Sequence, residues 1–192
     1  MRILGIDPGT VIVGYGCLEV VEREQAALGA AGARIKNLVR SPSHQRVRVV
    51  EAGALRLGRG EIVDRLGKLL HCLDELLTRL RPDELALEEA FHGKSAQAAL
   101  RIGEARGVVI AEARRHGVAV FQFPPARIKQ SLTGHGGAGK DHVADMARRT
   151  LGLAAAPQPR DVSDALAVAL CRMEARRTFP GVSACKPQKP RV

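Results

Sequence analysis

Four carboxylates stand where a chain normally puts apolar or turn residues. Asp7 follows the apolar run of RILGID, Glu88 lies inside LALEEAF, and Asp161 and Asp164 sit three residues apart ahead of ALAVAL. Burying an ionised carboxylate costs several kcal/mol unless a positive group compensates it. Each position also has an ordinary explanation. Asp7 suits the first place of a turn before Pro8 and Gly9. Glu88 fits an exposed strand edge, and Asp161 and Asp164 fit the N-cap and third position of a helix. Both readings stand at this point.

If the four ends converge, their repulsion calls for divalent cations. An all-oxygen donor set favours Mg²⁺ or Mn²⁺. Two such ions, about 3.5–4 Å apart, clamp the attacking and leaving oxygens of a phosphodiester. Zinc is disfavoured. The four cysteines (Cys17, Cys72, Cys171 and Cys185) contain no C-x-x-C, and the six histidines show no ligand-like spacing. The cysteines are expected to be free thiols.

The rest of the composition points to a polyanion. Thirty Lys and Arg oppose 20 Asp and Glu in 192 residues, for a formal net charge of +10. Nucleic acid is the first expectation and an acidic membrane surface the second. Lys and Arg would hold a phosphate backbone while the acids hold metal. No apolar run approaches the roughly 20 residues of a membrane span, and the first residues lack a signal-peptide pattern. A soluble, cytoplasmic protein without a membrane partner is expected.

These residues need elements to carry them. RILGID and VGYGCLEVV read as a hairpin across the DPGT turn, and VRVVEAGALRL contains a third strand. Apolar residues from Ile62 to Leu80 recur at helical spacing. LALEEAF and VAVFQF read as strands flanking a long helix that ends at Gly117, with Phe121 and Phe123 placed in the core. A short helix over about Ala126–Leu132 leads to TGHGGAG, and two helices follow over about Lys140–Leu151 and Asp161–Arg177. This order predicts an α/β fold, a mixed sheet with helices on both faces, in one domain spanning 1–177. Residues 178–192, rich in Pro, Lys and Arg, read as a disordered basic tail.

The motifs GIDPGT, RPDELALEEAF, GEARGV, ARIKQ, GKDHV and DVSDALAVAL, in that order, resemble the RuvC family of Holliday-junction resolvases. The resemblance covers most of 1–177 and is weakest over 22–60. It implies the ribonuclease H-like fold, with Asp7, Glu88, Asp161 and Asp164 as catalytic metal-binding acids for two Mg²⁺, replaceable by Mn²⁺. It further implies a homodimer that nicks four-way junction DNA symmetrically, alongside branch-migration proteins of the RuvA and RuvB type. Lys129 and Lys140 would lie near the scissile phosphate, Phe91 would stack on an unpaired base, and Lys94 would touch the backbone. The helix over Ser95–His116 is the candidate dimer interface.

One interval departs from the family. The spacing from Asp7 to Glu88 is longer than expected, and the excess falls in 31–50, which holds five basic residues and no acidic one. It reads as a basic insertion: a solvated loop, or an added set of backbone contacts. GHGGAGKD (Gly134–Asp141) nearly fits a phosphate loop, but Asp141 stands where a hydroxyl belongs, so nucleotide binding is rejected and Lys140 is assigned to a DNA phosphate. GIDPGT also resembles the phosphate loop of actin-like ATPases, which need two such lobes and a longer chain. The remaining rivals are a ribonuclease H-like nuclease acting on RNA or other branched DNA, and a non-catalytic junction-binding module.

Overall fold

Strand β1 (Arg2–Asp7) is buried on both faces, which places it at the middle of the molecule. The computed structural model describes residues 1–21, 39–40, 46–89 and 95–178. β2 (Ile12–Val21) returns antiparallel to β1, and β4 (Arg46–Arg56) runs antiparallel to β2, with the two-residue β3 (Val39–Arg40) beside it. On the other side of β1, β5 (Glu84–Glu88) and β6 (Ala119–Phe123) are parallel to it. The six-stranded order is β3-β4-β2-β1-β5-β6. The expected mixed sheet is present, and β5 is interior to it.

Helices cover both faces. α1 (Ile62–Leu80) and α2 (Ala96–Arg115) lie on one side, burying Leu69, Leu73, Leu76, Ala105 and Val109 against Leu4, Ile6, Leu85 and Leu87. α3 (Pro125–Thr133), α4 (Lys140–Thr150) and α5 (Arg160–Thr178) lie on the other, against Ile3, Leu18, Val20 and Ala86. Side chains therefore alternate along the strands as the pleat requires. Odd positions of β1 and even positions of β5 face α5.

Helix α5 sits unusually close to the sheet because the floor beneath it is glycine. A Cβ on Gly5 would lie 2.0 Å from the Ala165 carbonyl oxygen and 2.9 Å from the Ala169 nitrogen. On Gly14 it would lie 2.0 Å from the Asp161 carbonyl oxygen, and on Gly16 it would meet Leu166 at 2.5 Å. Glycine inside a strand often marks such a close backbone approach. At its far end α5 is tied down by charge. Glu84, buried, accepts from Arg172 Nε at 2.8 Å and Nη2 at 3.1 Å, and also pairs with Arg176.

Two expectations need correction. Phe121 and Phe123 are only half-buried, because β6 is an edge strand. Phe121 carries the Arg172 guanidinium 3.3 Å above its ring, a cation–π contact, and Phe123 packs on the margin of the α5-side core. The strand expected over LALEEAF starts at Glu84 and ends at Glu88. Within the basic stretch, Arg46–Val50 forms the start of β4, which pairs with β2 along its length. The rest of that stretch apart from Val39–Arg40 lies outside the described residues, as does the expected tail, Cys185 included, from residue 179 on; its first residue, Thr178, instead closes α5. Cys17, Cys72 and Cys171 are free.

The glycine floor yields an ordered prediction. Gly5→Ala must displace backbone and is expected to cost about 2–3 kcal/mol. Gly67→Ala, on the open side of α1 with nothing within 4 Å, should stabilise by about 0.4–1 kcal/mol. Urea unfolding of the two variants beside wild type checks the pair, and a neutral Gly5→Ala would contradict the close approach.

Candidate active site

The strand register brings the first two acids together. Ile6 pairs with Leu87 across the parallel β1–β5 ladder, so the next residues, Asp7 and Glu88, stand at the same level. Both belong to the α5-facing side by the alternation above. Asp7 also pairs with Gly14 on β2, and Gly14 is the residue whose missing Cβ admits Asp161. One end of β1 thus meets the first turn of α5, where Asp161 and Asp164 follow Arg160. The explanations by local structure fail at two of the four places. Glu88 is on an interior strand, and Asp161 lies inside the first turn of α5, which begins at Arg160, so it is not an N-cap.

Electrostatics confirm the grouping. The Asp7 carboxyl is pushed up to about 7, first by burial and then by the charges of Asp164, Glu88 and Asp161, with Lys140 opposing. Glu88 is raised by burial and by Asp164, against Lys140, Arg106 and Lys129. Asp164 is raised by burial and by Asp161, against Lys140 and Arg160. Three carboxyls displaced upward together mark a pocket short of positive charge. The donors are all carboxylate oxygen, which matches hard divalent cations, so the residues fit the implied Mg²⁺ or Mn²⁺.

The two expected lysines are at this pocket. Lys140, the first residue of α4, has its Nζ 3.7 Å from Asp164 Oδ2. Lys129 of α3 lines the same cavity as Lys140, Glu88 and Asp164. Phe91 and Lys94 lie outside the described residues.

Several supporting residues were not legible as such in the sequence. Arg65, buried on α1, donates from Nη1 to the Thr10 carbonyl at 2.7 Å and so fixes the turn that follows Asp7. Arg106, buried on α2, bonds Gln122 of β6 and places a fixed cation under the end of β5, where its charge is felt by Glu88 and Glu89. Gly14 had a signal, the small-residue alternation of VGYG. Arg65 and Arg106 had none, because apolar helix faces do not announce a buried guanidinium.

A second group of potential ligands is already satisfied. Asp74, Glu112 and His116 bring one donor each within 4.8 Å of one another. Arg115 lies among them, with Nε 3.0 Å from Glu112 Oε2 and an ion pair to Asp74, while His116 Nε2 is 2.8 Å from Asp74 Oδ1. This network ties α1 to α2 and is no match for a cation-poor pocket.

The burial of Asp7 and its repulsion by the other acids predict a stability effect. A carboxyl whose folded pKa is raised from 3.8 to about 7 destabilises the fold progressively as pH rises through that window. In EDTA, Asp7→Asn should therefore raise the melting temperature at pH 8, with a smaller gain at pH 5, where Asp7 is already protonated. Equal melting temperatures at pH 8 would mean that neither burial nor the neighbouring acids penalise the ionised Asp7.

Known proteins are similar to this chain in sequence and in fold. The family described as Crossover junction endodeoxyribonuclease RuvC matches residues 36–172, which include Glu88, Lys129, Lys140, Asp161 and Asp164 and begin after Asp7. A protein of that name from Anaeromyxobacter sp. strain K is 44% identical over 179 residues, 93% of this chain and 83% of its own. The structure of Thermus thermophilus RuvC superposes with a TM-score of 0.76 at 31% identity, covering 98% of this chain and all of that one. The same protein in complex with a Holliday junction substrate gives 0.74 at 28%, with the same coverage. By its sequence and its fold, the chain belongs to the RuvC family of crossover junction endodeoxyribonucleases.

Proposed function

We propose that the protein resolves Holliday junctions by paired, symmetric, metal-dependent nicks in recombination and repair. The observation that carries this is the meeting of Asp7, Glu88, Asp161 and Asp164 in one cation-poor pocket rimmed by Lys129 and Lys140. The four acids would hold the metal, with Asp7 at the centre of the group. When bound, a pair of Mg²⁺ or Mn²⁺ ions supplies an activated water and stabilises charge on the departing oxygen. The protein's own part is to hold the phosphodiester. Lys140 reaches a non-bridging oxygen over Asp164, and Lys129 does so from the side of Glu88, as negative charge develops on the phosphoryl oxygens. Hydrolysis adds a water oxygen to phosphorus and releases the 3′ oxygen as a hydroxyl, leaving a 5′-phosphate that a ligase can seal.

Symmetric nicking requires two sites at a fixed distance, hence a two-fold dimer. Helix α2 offers the surface. Leu100 is 72% exposed, Ile102 is also exposed, and Gly103 and Gly107 leave open space that a facing helix can fill. Branch-migration proteins of the RuvA and RuvB type are the partners proposed, and no helix among the described residues is long and apolar enough to cross a membrane. The setting assigned is the cytoplasm.

Asp7→Asn should reduce nicking of a mobile four-way junction by roughly 10³-fold or more while leaving junction affinity within about threefold. EDTA should abolish nicking by the wild type. Competition between four-way junctions, flaps and RNA–DNA hybrids tests the substrate, and preferred cutting of the flap or hybrid would replace the junction reading with one of the rivals. Leu100→Glu should shift the dimer to monomer in analytical ultracentrifugation and uncouple the two nicks.

A further inference from the structure

The near-miss phosphate loop GHGGAGKD leaves one residue without a task in the mechanism above, Asp141. The fold gives it a partner. Its carboxylate is ion-paired with Arg160, the first residue of α5. Arg160 directly precedes Asp161, and Asp141 directly follows Lys140. The pair therefore sits at the rim of the acidic pocket, where the starts of α4 and α5 meet. The charge of Arg160 is felt by Asp164, which places the guanidinium beside the ligand group. The pair is open to water, with Arg160 58% and Asp141 86% exposed.

An arginine in that place raises a problem of specificity. A guanidinium binds a carboxylate through two parallel bonds, and free to turn inward it would occupy Asp161 or Asp164 in place of metal. Asp141 engages it on the outer side instead. An exposed pair of this kind contributes little to stability, so a phosphate that offers the guanidinium the same planar, two-bond contact can displace the carboxylate at small cost. Lys140 already faces the pocket from the same rim.

Resting on the nuclease reading, we propose that Arg160 binds a backbone phosphate neighbouring the one that is cut, and that Asp141 holds its guanidinium outward until DNA arrives. The arrangement turns the failed nucleotide loop into a backbone clamp: Lys140 serves the scissile phosphate, and Arg160 the next one along the strand. Its substrate class is the phosphodiester backbone, without base preference.

Binding of a four-way junction in EDTA across a salt series tests this, because no cleavage intervenes. Arg160→Ala should weaken binding about tenfold and flatten the slope of log K against log salt by about 0.9, the loss of one phosphate contact. Asp141→Asn should tighten binding and leave the slope at least as steep. Arg160→Lys should restore the slope and part of the affinity. The control is Arg149→Ala, which breaks another exposed pair on α4, with Asp145 at 2.7 Å, nine residues beyond Lys140. An unchanged slope in Arg160→Ala overturns the proposal. So does a shift in the same direction for Arg160→Ala and Asp141→Asn, which marks a merely structural pair, or an equal effect of Arg149→Ala, which marks general charge. Wild-type nicking with any of these results leaves the nuclease reading intact, whereas a wild type that does not bind the junction removes both.

Discussion

The backbone of α5 rests on a strip of sheet that has no side chains, and the position of the site depends on this contact. An ordinary helix packs on a sheet at a distance set by the side chains between them. Here Gly5, Gly14 and Gly16 remove that spacer, and the Asp161 carbonyl approaches Gly14 closer than any Cβ permits. Asp7 occupies the place paired with Gly14. The first turn of a helix and the last residue of a strand, some 150 positions apart in the chain, therefore share one pocket. The Glu84–Arg172–Arg176 pairing secures the other end of the helix, so that it cannot pivot away.

That closeness has an electrostatic consequence. Elsewhere among the described residues, several acids are paired with arginine. Asp74 and Glu112 share Arg115, Glu84 takes Arg172 and Arg176, and Glu51 takes Arg79. Glu84, Glu112 and Glu51 are satisfied within the protein and need nothing from outside. The group around Asp7 is treated differently: burial and three like charges raise it, and a lysine is the only cation opposing them among its principal influences. In a chain with ten more basic than acidic residues, this crowding of acids at one buried place is a feature that an added cation relieves at neutral pH.

Much of this was legible in the sequence because it is periodic or local. The α1 helix follows from the spacing of Leu66, Leu69, Leu73, Leu76, Leu77 and Leu80, and its bounds match the expectation at both ends. The four acids stood out because each interrupts an apolar segment. What periodicity could not supply was which strand lies beside which. Glu88 is compatible with an edge or an interior strand until the order β1-β5-β6 is known. The half-buried state of Phe121 has the same origin, since an edge strand reads like any other apolar run. Buried arginines such as Arg65 and Arg106 are invisible for a further reason. Their charge is compensated by a carbonyl or an amide from a distant element, and no local pattern records that.

The choice between lysine and arginine carries the argument one step further. Arginine's planar fork locks onto a carboxylate with two bonds, which suits a permanent tie such as Glu84 to Arg172 and would ruin a metal site. Lysine is a single charge on a flexible stem, and at 3.7 Å from Asp164 the Lys140 ammonium lowers the repulsion without saturating the carboxylate oxygens. In the function proposed above it would turn to a phosphate with cations held by the acids. The cavity is accordingly lined by two lysines and no arginine. The arginine closest in sequence to these acids, Arg160, is held at the rim by an acid of its own. The cations that face the acids are lysines, and the neighbouring arginine is engaged away from them. This partition keeps a strongly basic protein from neutralising its own acidic centre.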